Sequence, residues 1–127
     1  QSLKQKIEMG TPYLGTSAGS NIAGVSMKTT NDMPIIHPPS FDTLGVVPFN
    51  LNPHYLDPDP KSNHNGETRE TRIAEFHCIN NTPVIGLREG SFITVQEGET
   101  ILHGPHTARV FKKGQQPFEM EPRSIVL

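Results

Sequence analysis

The stretch Gly15-Thr-Ser17-Ala-Gly19 sets one serine between two glycines, directly after a short apolar run and before a run of small residues through Gly24. A serine hydroxyl is a weak nucleophile near neutral pH. It becomes an acyl-transfer nucleophile when a base lies within hydrogen-bond reach and backbone donors wait for the oxyanion that forms. A nucleophile elbow needs a strand that stops abruptly, a serine in a strained backbone position and small flanking residues, and this pattern is compatible with all three. A helix starting after Ser17 would aim its unused N–H groups at the serine, with the N–H of Ala18 as the nearest oxyanion donor. The same residues also read as a Gly-Ser-rich turn without chemistry, and Gly-x-Ser-x-Gly alone does not separate the two readings.

Imidazole is the side chain whose ordinary pKa best suits a base for serine. Of the six histidines, His54 is the one that a strand end and a proline turn, Asn52-Pro-His54-Tyr, would fix at the loop edge of a sheet, where open α/β sheets keep their chemistry. His37, His64, His77, His103 and His106 read as surface or structural residues. A carboxylate is then needed to orient the imidazole. Glu89 has a similar setting after the apolar run Val84–Leu87, although it also reads as a solvated turn carboxylate with Arg88 as its ion-pair partner. Asp32, in the rigid loop Asn31-Asp-Met-Pro, is the rival. Neither His-Glu-x-x-His nor a close cluster of cysteines and histidines occurs, so no metal and no other cofactor is expected.

The elements that must position these residues alternate in type. Ser2–Met9 reads as the last turns of an amphipathic helix closed by Gly10, without a proper beginning. Pro12–Gly15 reads as a short buried strand feeding a helix over Ser17–Val25. Asn31–Pro39 is a loop, and Phe49–Tyr55 is a strand end entering a polar loop that runs to Asn65. Thr68–His77 is a helix with apolar Ile73, Ala74 and Phe76. Val84–Leu87, Phe92–Val95, Glu99–Leu102 and Ala108–Phe111 are strands, the middle two forming a hairpin turned at Glu97-Gly98. The order implies an α/β sheet with an antiparallel strand group near the end.

Composition narrows the function classes. At 127 residues, 33% of them hydrophobic, with 11 Gly and 12 Pro, the chain has the size and turn content of one globular domain. A net charge of −2 offers no basic field for nucleic acid. No apolar run approaches the roughly 20 residues that span a bilayer, so no membrane partner is expected. The single Cys78 and a first segment without a signal-peptide core imply a reducing, cytoplasmic setting.

Five motifs in order carry a more specific resemblance: Gly15-Thr-Ser-Ala-Gly-Ser-Asn21, Thr29-Thr-Asn-Asp-Met-Pro-Ile35, Asn52-Pro-His-Tyr55, Gly66-Glu-Thr-Arg-Glu-Thr-Arg-Ile73 and Gly86-Leu-Arg-Glu-Gly-Ser-Phe-Ile93. Over residues 12 to 111 the chain resembles the peptidase E family, the aspartyl dipeptidases, which are serine peptidases on a flavodoxin-like or glutamine-amidotransferase-like doubly wound sheet. The resemblance implies hydrolysis of Asp-X dipeptides, with Ser17 as nucleophile, His54 as base 37 positions later and Glu89 as the orienting acid, favoured over Asp32. Aspartate specificity asks for a planar guanidinium that meets a carboxylate at two points, and Arg69 in the Gly-Glu-Thr-Arg motif is the choice, its plainer alternative being a charge on a helix face. The substrate ammonium would be met by Asp32 or Glu67. A cyanophycinase-like hydrolase of β-aspartyl dipeptides shares the elbow and is the alternative enzyme. Only 16 residues precede Ser17, whereas family members carry the first strands of the sheet there. The chain is therefore expected to be the C-terminal portion of a larger peptidase domain, completed by an N-terminal chain or shortened by removal of that part. The third alternative is a non-catalytic subunit in which the triad residues persist without a complete oxyanion hole.

Overall fold

The computed structural model describes residues 2–32, 34–61 and 68–124. Glu67, His64 and the end of the expected polar loop lie outside the described residues. Helix α1 spans Leu3–Glu8 and does have a beginning. The Ser2 hydroxyl accepts from the Gln5 N–H, and the Gln5 side chain accepts from the Ser2 N–H, a reciprocal cap that satisfies two donors of the first turn. Gly10, at φ 100°, turns the chain away after it.

The expected strand over Pro12–Gly15 is not formed, and it is not buried. Its backbone pairs with none of the described strands, and the Leu14 side chain is 91% exposed. An apolar run becomes a strand only where a neighbour supplies ladder partners and covers its side chains; the described residues provide neither here.

Helix α2 spans Ala18–Ala23, shorter than the pattern suggested, and the cause is Asn50. Its Oδ1 accepts from the N–H groups of Val25 and Ser26 at 3.1 and 3.0 Å, drawing the chain out of the helix. Gly24 makes that approach possible, since a Cβ there would lie 2.8 Å from the Phe49 carbonyl oxygen. A 3-10 turn at Met27–Thr29 follows. Strand β1 (Asn50–Pro53) then runs parallel to β2 (Val84–Leu87), joined through helix α3 (Arg69–Ile79) in a β-α-β crossover. The Thr68 hydroxyl starts α3 by accepting from the Thr71 N–H at 3.1 Å. β5 (Ala108–Phe111) and β6 (Phe118–Met120) add antiparallel strands, giving the order β1-β2-β5-β6. β3 (Phe92–Gln96) and β4 (Glu99–His103) form a separate hairpin, with Glu97 and Gly98 at φ 50° and 81° in its turn. The fold is thus mixed α/β, with parallel and antiparallel pairing in one sheet.

Alternation along the strands divides the core into two. Ile85, Val110 and Leu51 pack with Phe49, Leu102, Ala108 and Met120, whereas Val84 and Phe111 pack with Tyr55 and with Ile73 and Phe76 of α3. Although β1 lies at the sheet edge, all four of its residues are buried. Side chains replace the missing neighbour strand: the Thr29 hydroxyl donates to the Leu51 carbonyl at 3.1 Å, and Asn52 Nδ2 donates to the Thr29 carbonyl at 2.9 Å. Among the described residues, no helix is long and apolar enough to cross a membrane.

Gly86 shows how tightly β2 meets the chain after β1. A Cβ at Gly86 would lie 2.6 Å from Cδ2 of the buried Tyr55 ring. Gly86→Ala should therefore destabilise the protein by about 1–3 kcal/mol, read as a lowered midpoint in urea unfolding. An unchanged midpoint would mean that the ring moves aside without cost.

Candidate active site

Ser17 immediately precedes α2 and adopts φ 51°, ψ −113°, a conformation that side-chain-bearing residues rarely take. Its surroundings explain how the chain tolerates this. A Cβ at Gly15 would lie 2.4 Å from the Gly19 carbonyl oxygen, so only glycine fits there. Gly19 is less constrained, its nearest would-be contact being the Tyr13 hydroxyl at 3.7 Å. The turn is tied by the Tyr13 hydroxyl donating to the Gly19 carbonyl at 2.6 Å and the Ser20 hydroxyl donating to the Gly15 carbonyl at 3.1 Å. The N–H groups of Gly19, Ser20 and Asn21 turn back to the carbonyls of Thr16 and Ser17. The N–H of Ala18 has no hydrogen-bond partner among the described residues.

His54 follows the last residue of β1 and also has positive φ, 55°. The backbone on both sides of it is held. Asn31 Nδ2 donates to the Pro53 carbonyl at 2.7 Å, and the Tyr55 N–H donates to the Leu87 carbonyl at 3.0 Å. Asn52 Nδ2 donates in turn to Asn31 Oδ1 at 2.7 Å, which fixes the Asn31 amide. With the imidazole so placed, Nε2 is 3.1 Å from the Ser17 hydroxyl oxygen, and Nδ1 is in direct contact with the Glu89 carboxylate. Serine, histidine and glutamate thus form one hydrogen-bonded row. It is open to solvent, with the His54 side chain 50% and the Glu89 side chain 71% exposed.

Asp32 is exposed and stands outside this row, with no hydrogen bond or ion pair to a described residue. Arg69 is the first residue of α3 and lines a cleft of about 290 Å³ together with Thr29, Asn31, Asn52 and Arg72. Its Nη1 is buried without a hydrogen-bond partner among the described residues, a cationic donor facing no acceptor. Among the described residues no three His, Cys, Asp or Glu side chains converge as metal ligands. Two of the remaining histidines have structural bonds. His77 Nε2 meets the Thr82 carbonyl at 2.8 Å, and His103 stacks on Phe92 while bonding the Thr94 hydroxyl.

Arg88 is not the partner of Glu89. It turns the other way, to Asp57 and Glu119. Hydrogen bonds from Arg88, opposed by burial, hold the Glu119 carboxyl at about 2. The same kind of bond keeps Asp57 below the usual carboxylate range, and the two carboxylates together raise Arg88. Burial, reinforced by the negative charge of Glu70, pushes the Tyr55 hydroxyl up to about 12. Sequence reasoning gave Asn31 and Asn52 no role and gave Arg88 only the place of an ion-pair partner for Glu89. Asn52 and Arg88 lie in the motifs of His54 and Glu89, Asn31 lies in the motif of Asp32, and Asp57 and Glu119 lie in none of the five.

Chemically, the row can remove a proton from a serine hydroxyl and hold the resulting imidazolium against a carboxylate, beside an unused backbone donor. The chain is similar in sequence to known peptidases. The model of peptidase family S51 matches residues 1–103. Peptidase E of Streptomyces coelicolor is 54% identical over 120 residues, covering 94% of this chain and 49% of that protein. A probable alpha-aspartyl dipeptidase of Drosophila melanogaster is 50% identical over 116 residues, covering 91% and 48%. Peptidase E of Pasteurella multocida is 46% identical over 124 residues, covering 97% and 53%. The chain spans about half the length of the curated relatives it matches. With the family model matched over most of its residues and relatives near half identical along nearly all of it, the chain belongs to peptidase family S51.

Proposed function

We propose that this protein hydrolyses dipeptides with an N-terminal aspartate through an acyl-enzyme on Ser17. The observation that carries the reading is the 3.1 Å contact between the Ser17 hydroxyl and His54 Nε2, with Glu89 on the other ring nitrogen. In this reading Ser17 Oγ attacks the carbonyl carbon of the Asp-X peptide bond as its proton passes to His54 Nε2. The Ala18 N–H donates to the developing oxyanion. Glu89 holds the imidazole with Nδ1 protonated and stabilises the imidazolium. The proton on Nε2 then goes to the leaving amine of residue X, and an aspartyl ester remains on Ser17. A water molecule, deprotonated by His54 Nε2, attacks the ester carbonyl; as the C–Oγ bond breaks, that proton passes to Ser17 Oγ and aspartate is released.

Selectivity is assigned to Arg69, because a buried Nη1 without a partner is a site that a substrate carboxylate would complete. Asp32, or Glu67 outside the described residues, would receive the substrate ammonium. The solvent-open row and the exposed Leu14 support a further element of the proposal: the remaining half of the family's length, on the same or a second polypeptide, covers this face.

The test is the ratio of kcat/KM for Asp-X to that for Asn-X with one common X. Asn-X sets an NH₂ against guanidinium donors and leaves the cation without its counter-charge, so wild type should prefer Asp-X by about a thousandfold or more. The ratio should fall in Arg69→Lys, which keeps the charge but not the fork, and fall further in Arg69→Met. A ratio that survives Arg69→Met at the wild-type value places the aspartate pocket elsewhere. Absence of Asp-X hydrolysis by wild type in its complete assembly would remove the reading altogether.

A further inference from the structure

We infer that Arg88 is a positioning residue that keeps Glu89 bonded to His54, by tying together the two loop arms that carry them and by being itself unable to take Glu89 as a partner. The inference rests on the reading of Ser17, His54 and Glu89 as the reacting row.

Within this chain the described residues do not fix His54 or Glu89 by packing, since half of one side chain and most of the other are exposed. An exposed carboxylate samples several rotamers unless its backbone and its competitors are controlled. The nearest competitor in sequence is Arg88, whose cation would be a natural partner for the adjacent Glu89. The structure occupies it fully. Nε donates to Asp57 Oδ2 at 3.0 Å, and Nη2 donates to Asp57 Oδ1 at 2.7 Å. Nη2 also donates to Glu119 Oε1 at 3.0 Å, and Nη1 donates to Glu119 Oε2 and the Thr107 carbonyl at 2.8 Å each. A guanidinium carries five N–H donors, and these contacts use all of them.

The same bonds join the two arms. Asp57 stands three residues after His54, and Arg88 immediately precedes Glu89. Below that bridge, the Tyr55 N–H meets the Leu87 carbonyl at 3.0 Å, and the Tyr55 ring lies 5.5 Å from the guanidinium carbon. Thr107 and Glu119 anchor the far side next to and on the antiparallel strands, with the Thr107 hydroxyl donating to Glu119 Oε2 at 2.7 Å. Exposed ion pairs contribute little, but bidentate pairs in a network around a guanidinium only 18% exposed are the exception. The bridge therefore sets the separation of the His54 and Glu89 arms from outside the row.

The test uses Asp57→Asn and Arg88→Lys, each alone and each combined with Glu89→Gln, in the 127-residue chain and in its complete active assembly. Both variants should lower kcat by about tenfold to a hundredfold, the scale expected when a reacting pair is displaced by about an ångström, with KM changed less than about twofold. The downfield proton resonance of His54 Nδ1–H, present in wild type and lost in Glu89→Gln, should weaken in both. In the Glu89→Gln background neither substitution should change kcat by more than about twofold, because the bond they support is already gone. Loss of thermal stability with kcat and the Nδ1 resonance intact would overturn the inference and make Arg88 a stabilising residue only. Equal kcat losses with and without Glu89 would overturn it in favour of a direct field effect on His54. If wild type shows the Nδ1 resonance but Ser17 neither turns over Asp-X nor reacts with a phosphonylating reagent, the reading of the site has failed. The resonance then still decides whether Arg88 holds the pair.

Discussion

Ser17→Ala is expected to abolish hydrolysis of an Asp-X dipeptide, with a loss on the order of a millionfold in kcat, while the fold stays intact. Removing the nucleophile leaves only substrate binding and the oxyanion donor, and serine hydrolases lose about that factor when the serine is deleted. The fold should survive because Ser17 is exposed and, among the described residues, its hydroxyl bonds only His54. The substitution also replaces one side chain with another at φ 51°, so the backbone strain is unchanged. Stability is compared by urea unfolding, and activity by release of free aspartate in the same assembly for both proteins. Retention of more than a trace of the wild-type rate would sink the serine mechanism.

Glu89→Gln should lower kcat by about a thousandfold to ten-thousandfold without unfolding the protein, the behaviour of an imidazole that loses the acceptor fixing its tautomer. The amide can still occupy the space beside Nδ1, but it offers an N–H where the row needs an acceptor. Asp32→Asn should act differently, because Asp32 has no contact with His54. If Asp32 receives the substrate ammonium, its loss mainly raises KM. Steady-state kinetics on the two variants separate these roles. A large kcat loss at Asp32 beside near-normal kinetics at Glu89 would reverse the assignment.

Legibility differed by element, for physical reasons. Helix α3 and strands β2 to β5 were readable because their apolar spacing and turn residues are local, as in Glu97-Gly98, where both residues adopt positive φ. Pro12–Gly15 was misread because strand formation depends on a neighbour, and an apolar run carries no information about whether one is present. The beginning of α1 was missed although Ser2 and Gln5 form a capping box, since two residues at the start of a sequence give too little context to separate a cap from a fragment. The strand β6 was not expected at all. Phe118–Met120 is three residues long, and its pairing with β5 is a tertiary event.

The sequence by itself determined which residue types are available for acyl transfer and where the tight turns fall: a serine between glycines, a histidine after a proline, a glutamate after an apolar run. These are legible because elbow, turn and strand end are short-range features with strict steric demands, as the 2.4 Å approach at Gly15 illustrates. Only the tertiary structure decided which carboxylate reaches the imidazole. Glu89 meets His54 because β1 and β2 lie side by side in parallel register, with Pro53 opposite Leu87, so that the residues following each strand emerge at the same sheet end. Arg88, Asp57 and Glu119 belong to the same class of fact. Three charges 31 residues apart on either side have no periodicity to reveal them, and their meeting follows from strand order alone.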